Sequence, residues 1–222
     1  MTPYALMLSL LFAWAIAVLW RTRRYAFAWG ATPDELGRNW PGDELCPGSR
    51  SVATRAIAID APADVVWSYI AQIGQDRAGF YSYTRLENLF RCAMPNVSAI
   101  VPAWQHRKAG ETVWLARADR YKGEARLKVA RVDERRDLVL TSPADWGRVV
   151  RKEHAREGAW ALVVIPTGAT ACRLIVRSRG PEGGGVLSAL TRALVFDPAH
   201  FIMERRMMRH IKQLAEVSAA RH

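Results

Sequence analysis

The apolar positions of this chain change their spacing three times, and each change predicts an element. Residues 3–20, PYALMLSLLFAWAIAVLW, hold no charged side chain and almost no polar one. Eighteen such residues at helical rise reach roughly 27 Å, close to the hydrocarbon thickness of a bilayer. Tyr4 and Trp20 stand at the two ends, as interfacial aromatics do, and Arg21-Thr22-Arg23-Arg24 follows at once. From Ser51 the spacing falls to two, and Ile57 and Ile59 mark the core face of a strand over 53–59. Ala61-Pro62 then opens a helix with proline at its first position. Val66, Ile70 and Ile73 form its stripe, and Gly74 is placed to end it. A second helix is expected over 83–92.

Strands are expected at 112–117, 125–132, 138–141, 160–165 and 171–179, with short Gly, Pro or charged turns between them. Such spacing favours an antiparallel meander over parallel crossovers. The polar stretch 142–158 has no readable period. Gly183-Gly184-Gly185 reads as a flexible joint, since no strand-to-helix phosphate-loop signature surrounds it. The last element is a long helix with Asp197 as N-cap and Pro198 at its first position, amphipathic to about residue 217. The chain therefore divides into an N-terminal span with its basic flank (1–24), a lead-in loop (25–50) and one α+β domain (51–218). The loop holds one short helix, at 33–37, with Thr32 as its cap.

Projecting the last helix at 100° per residue puts Met203, Met207, Met208, Ile211, Leu214, Ala215 and Val217 on one broad face. Arg205, Arg209, Lys212 and Glu216 fall opposite. His200 and Glu204 project into the apolar arc, one helical turn apart. An inward carboxylate is costly unless paired or neutralised. Two readings follow: His200 and Glu204 satisfy each other in a structural network with an inward arginine such as Arg177, or they line a cavity and meet a ligand. A second cluster, Gly79-Phe80-Tyr81-Ser82-Tyr83-Thr84-Arg85-Leu86-Glu87-Asn88, mixes aromatic with polar groups. Tyr81 and Tyr83 share a face if extended; Tyr83, Glu87 and Asn88 do if helical. That mixture suits an amphipathic pocket or the capped edge of a core. Trp104-Gln105 is a weaker case of the same kind. The candidate ligand-binding set is thus Tyr81, Tyr83, Glu87, Trp104, Arg177, His200 and Glu204, with no catalytic residue assigned.

Composition narrows the picture. Half of the 222 residues are hydrophobic, enough for a core. Cys46, Cys92 and Cys172 are far apart, with no CxxC pair and no zinc spacing, so no metal or cofactor is expected and a reducing compartment fits. The net charge of +11 lies wholly on residues 21–222. It fits a solvated arginine-rich surface or an anionic leaflet, and no nucleic-acid motif accompanies it. The arginines follow the apolar run, where a secretory signal would place them before it. Ala26-Phe27-Ala28 is the competing sign of a cleavage site. By the positive-inside rule the domain is expected on the cytoplasmic side of a single-pass membrane protein.

Several segments taken together resemble the SRPBCC (START-like, polyketide cyclase/dehydrase-related) superfamily, in particular membrane-anchored bacterial members of unknown activity. They are Trp29-Gly30-Ala31-Thr32 with Pro41-Gly42-Asp43, Ile59-Asp60-Ala61-Pro62 with Val66-Trp67, and Gly79-Phe80-Tyr81-Ser82-Tyr83 with Leu86-Glu87-Asn88. Ile100-Val101-Pro102 with Trp104-Gln105, and His200-Phe201-Ile202-Met203-Glu204-Arg205, complete the set. The resemblance implies a helix-grip fold, an antiparallel sheet wrapped around the long C-terminal helix with a hydrophobic cavity between them. It implies no single chemistry. Three functions stay open: a membrane-anchored module binding a hydrophobic or lipid-like small molecule, a cyclase- or dehydratase-type enzyme using His200, Glu204 and Tyr83, and a structural or regulatory domain without ligand.

Overall fold

A computed structural model of the chain describes residues 3–181, 183 and 185–221. The first helix, α1 (Pro3–Phe27), carries its apolar side chains into the open: Tyr4, Met7, Leu8, Leu10, Leu11, Phe12, Trp14, Ile16, Leu19 and Trp20 are all exposed. The side chains of Pro3, Ala5, Leu6 and Ala15 lie outside the described residues, as do Met1 and Thr2. The membrane span expected over 3–20 is not found: among the described residues no helix is long and apolar enough to cross a membrane.

The expected lead-in loop is packed structure. The short helix α2 (Pro33–Gly37) opens on a full capping box: Glu35 N–H donates to Thr32 Oγ1, and Thr32 N–H donates to the Glu35 carboxylate. Trp40 and Cys46 are buried. Strand β1 (Val52–Ile59) follows, then α3 (Ala63–Ala71). Pro62 caps that helix from just outside, one position earlier than its expected place in the first turn. Val66, Ile70 and Ile73 are fully buried, as their spacing predicts. Gly74 adopts φ +128°, a value that side chains rarely tolerate, and pairs with Gly79 in an isolated bridge. Helix α4 (Thr84–Leu89) is the expected second helix, shorter at both ends.

Strands β2 (Thr112–Trp114), β3 (Arg126–Asp133), β4 (Asp137–Thr141), β5 (Ala159–Pro166) and β6 (Cys172–Arg179) complete one antiparallel sheet, in the order β1-β6-β5-β4-β3-β2. Between β4 and β5 the unreadable stretch contains α5 (Pro143–Val150), whose cap is Ser142 Oγ accepting from Asp145 N–H. Of the glycine joint, Gly184 lies outside the described residues, as does Glu182.

Beyond the joint the chain departs from expectation. Helix α6 (Val186–Thr191) runs through one π-helical turn (Arg192–Phe196) straight into α7 (Asp197–Ala219). Asp197 is therefore no N-cap: Phe196 before it is already helical, and the Asp197 carboxylate instead meets Arg23 at 3.4 Å. The apolar run 186–196 can continue the helix, and Pro198 does not break it, because a wide turn spares the hydrogen bonds proline cannot make.

Helix α7 lies across one face of the sheet. Met207, Met208, Ile211 and Ala215 are buried there with Ile59, Leu138, Leu140, Leu162, Leu174 and Val176. Val217, assigned to the same arc, is exposed. Phe201, outside that arc, packs edge-on against Tyr25 and Trp29, at the end of α1 and just beyond it. The opposite face of the sheet holds a smaller core of Trp40, Ala56, Val139, Ala161, Val163 and Ile175. This α+β arrangement, a six-stranded antiparallel sheet against a long C-terminal helix, fits a helix grip.

Candidate functional site: a cavity between the last helix and the sheet

The helix does not fill the space it covers. Between α7 and the sheet lies a cavity of about 490 Å³, within the range of small-molecule sites. Its walls are mainly apolar, with Phe80, Met94, Leu127, Leu140, Met203 and Met207 the main contributors. Phe27, at the end of α1, and Phe196, in the π-helical turn, also line it.

Among the polar groups that line the cavity, two carboxylates are buried. On the α7 side Glu204, 3% exposed, pairs with the buried guanidinium of Arg55. Trp160 Nε1–H donates to Glu204 Oε1 at 2.7 Å, and Ser178 Oγ–H donates to the same oxygen at 3.4 Å. His200 Nε2 stands 3.9 Å from it, its ring stacked on Phe196. Arg55 Nε–H also donates to the carbonyl of Ala26 at 2.7 Å, so one side chain joins β1, α7 and the end of α1. The carboxylate is thus held by Arg55, Trp160 and Ser178, where the sequence reading names His200 and an arginine such as Arg177.

The other carboxylate is Glu87 in α4. It is buried and lines the cavity, and among the described residues its Oε2 has no hydrogen-bond partner. Burial raises its carboxyl above the ordinary glutamate range. Cys92 lines the cavity beside it; burial, then the nearby Glu87 charge, raises that thiol.

The seven sequence-predicted residues separate into two groups. Glu87, His200 and Glu204 meet at the cavity. Tyr81 is buried away from it, its hydroxyl accepting from Gln72 Nε2 at 2.8 Å and its ring edge-on to Tyr69 and His210. Tyr83 is 43% exposed beneath the guanidinium of Arg206. Trp104 packs at the core edge, its carbonyl accepting from Arg77. Arg177 lies on the opposite face of the sheet, where it pairs with Asp43 and donates to Thr54. That placement follows from strand alternation: Leu174 and Val176 face α7, so Arg177 cannot. An acid/base trio of His200, Glu204 and Tyr83 does not share this space.

Arg55 is the residue that sequence reasoning missed. It has the parity of Ile57 and Ile59 and therefore had to share their face; that signal was present. Among the described residues no group of three or more His, Cys, Asp or Glu side chains could hold a metal ion.

No family model matches the chain, and no curated protein does. Some solved structures are distantly similar to the chain. SSP2350 from Staphylococcus saprophyticus is 10% identical, with a TM-score of 0.42 over 76% of this chain and 94% of that one. CalC, a self-sacrificing resistance protein from Micromonospora echinospora, is 13% identical, TM-score 0.39, over 77% and 94%. A norcoclaurine synthase point mutant from Thalictrum, in complex with a transition-state analogue, is 13% identical, TM-score 0.37, over 76% and 95%. Likenesses at this level do not transfer an activity.

Proposed function

We propose that this protein is a membrane-tethered binding module that takes a hydrophobic small molecule or lipid into the cavity under α7. The observation that carries the proposal is the cavity itself, about 490 Å³ with mainly apolar walls and one carboxyl oxygen, Glu87 Oε2, without a hydrogen-bond partner among the described residues. A solid core would have no such space. The polar group gives the guest one orientation, through a hydrogen bond with Glu87, while the walls supply the affinity.

The tether reading rests on α1. A helix exposing apolar side chains on every side suits lipid better than water. Arg21, Arg23 and Arg24 at its end would hold the domain on the cytoplasmic side. Because Phe27 lines the cavity, the site would lie close to the leaflet from which a guest could be loaded.

Native mass spectrometry of the full chain, extracted in neutral detergent, tests the binding reading. The expected result is a hydrophobic adduct that Leu127→Trp or Met203→Trp removes, since both side chains line the cavity. Bare protein in every preparation, with no uptake of added alkyl chains, would refute it. Carbonate washing of membranes tests the tether: the full chain is expected in the pellet, and a Leu10→Arg, Leu11→Arg double variant in the wash.

A further inference from the structure

A second hollow adjoins the first. It holds about 270 Å³ and is lined by Arg23, Arg50, Ser51, Pro181, Gly183, Ala189, Arg192 and Asp197. Ser51, Pro181, Arg192 and Asp197 line the large cavity too, so the two spaces share a wall. Their linings differ: the space under α7 is mainly apolar, whereas three arginines border the smaller outer one.

These cations come from distant parts of the chain. Arg23 is on α1, Arg50 precedes β1, and Arg192 begins the π-helical turn. Asp197 is the one carboxylate among the described lining residues, and it meets Arg23 at 3.4 Å. Among the described residues no carboxylate pairs with Arg50 or Arg192; Glu182, next to Pro181, lies outside them. Arg192 lies close over the backbone at Gly180, where a Cβ would come within 3.2 Å of its Nη1. Gly180 is itself fixed, donating from N–H to the Ser51 carbonyl at 2.8 Å and accepting from Ser49 Oγ–H at 2.8 Å. The hollow thus brings together one paired arginine, Arg23, and two, Arg50 and Arg192, that have no carboxylate partner among the described residues. Guanidinium groups bind phosphate and carboxylate through paired N–H donors.

We infer that the guest is an anionic amphiphile, its apolar tail in the cavity under α7 and its phosphate or carboxylate head among Arg23, Arg50 and Arg192. This rests on the cavity reading above and deepens it, for it names the ligand's charge and the end at which that charge lies. The head remains at the rim, beside the basic end of α1, while the tail is withdrawn from water. Arg192 borders both spaces and marks where head joins tail.

The test is competition in native mass spectrometry, using the full chain in neutral detergent with equal amounts of dodecyl phosphate and dodecanol. The phosphate adduct is expected at least about tenfold over the alcohol. Arg50→Gln with Arg192→Gln should lower that ratio at least fivefold, and Arg50→Lys with Arg192→Lys should restore part of it. Equal uptake of both probes by the native chain, or a ratio unmoved by the glutamine pair, overturns the headgroup assignment while the cavity reading survives. Uptake of neither probe overturns both. A third arm offers inorganic phosphate: if it displaces dodecyl phosphate at equal concentration, the hollow is a free-anion site and the amphiphile is wrong. Retention of dodecyl phosphate against it supports the assignment.

Discussion

The two faces of the sheet solve the same problem differently. Each buries a carboxylate against arginine: Glu204 with Arg55 under α7, and Asp43 with Arg177 and Arg179 on the other side. Behind the sheet, residues 28–50 close over their carboxylate, with Trp40 N–H donating to it at 3.1 Å, and a compact core surrounds it. Under α7 the pair sits at the wall of a space, and a second carboxyl, Glu87, borders that space without a partner for Oε2 among the described residues. A buried ion pair by itself therefore says little about function. The unfilled volume and the unmatched group do.

The largest expected effect comes from breaking the buried Arg55–Glu204 pair. Arg55→Met leaves Glu204 buried with its cation gone, and chemical denaturation should show a loss of about 3–5 kcal/mol. Combining Arg55→Met with Glu204→Leu should recover most of it. The back face should lose less: Asp43→Ala leaves two arginines with other acceptors nearby, and about 2–3 kcal/mol is expected.

Acidity separates the faces by sign. Burial alone would raise the Asp43 carboxyl, but Arg177, Arg179 and the Trp40 N–H outweigh it and hold it below the ordinary range. Its contribution is present above the unfolded value of about 3.9 and lost as pH falls through the folded one. Glu87 runs the other way. With its folded value raised, its contribution is complete below about pH 4.3 and lost as pH rises through the folded value. Glu87→Leu should therefore stabilise the ligand-free protein by about 1–2 kcal/mol at neutral pH, flatten that part of the pH profile, and weaken guest uptake. Denaturation midpoints from pH 3 to 7 check both signs. The smallest effect is expected at Tyr83: Tyr83→Ala should change stability by no more than about 0.5 kcal/mol and leave uptake intact, since its ring lies beneath Arg206 at the surface.

Local pattern carried the sequence reading as far as elements and faces. The spacing of Val66, Ile70 and Ile73 placed α3, and strand alternation at Ile57 and Ile59 placed the face that α7 covers. Helical projection turned His200 and Glu204 inward, and the structure places both at the cavity. What failed depended on contacts far along the chain. Arg177 was assigned inward without counting its parity against Leu174 and Val176. The packing of residues 28–50 against the back of the sheet needs Asp43 to find arginines more than a hundred positions away. The run 186–196 exposes leucines on a continuous helix, so no buried stripe announced it. Empty volume is least legible of all, because it is what remains once every side chain has found its place.

Photo-crosslinking tests most directly whether the space under α7 holds a guest. The full chain in neutral detergent would be irradiated with a long-chain fatty acyl probe bearing a terminal diazirine, and the modified residues mapped by peptide mass spectrometry. The account predicts modification within 80–94, 127–142 and 200–207, lost in Met203→Trp. Labelling confined to α1, or spread without preference over the surface, would contradict it.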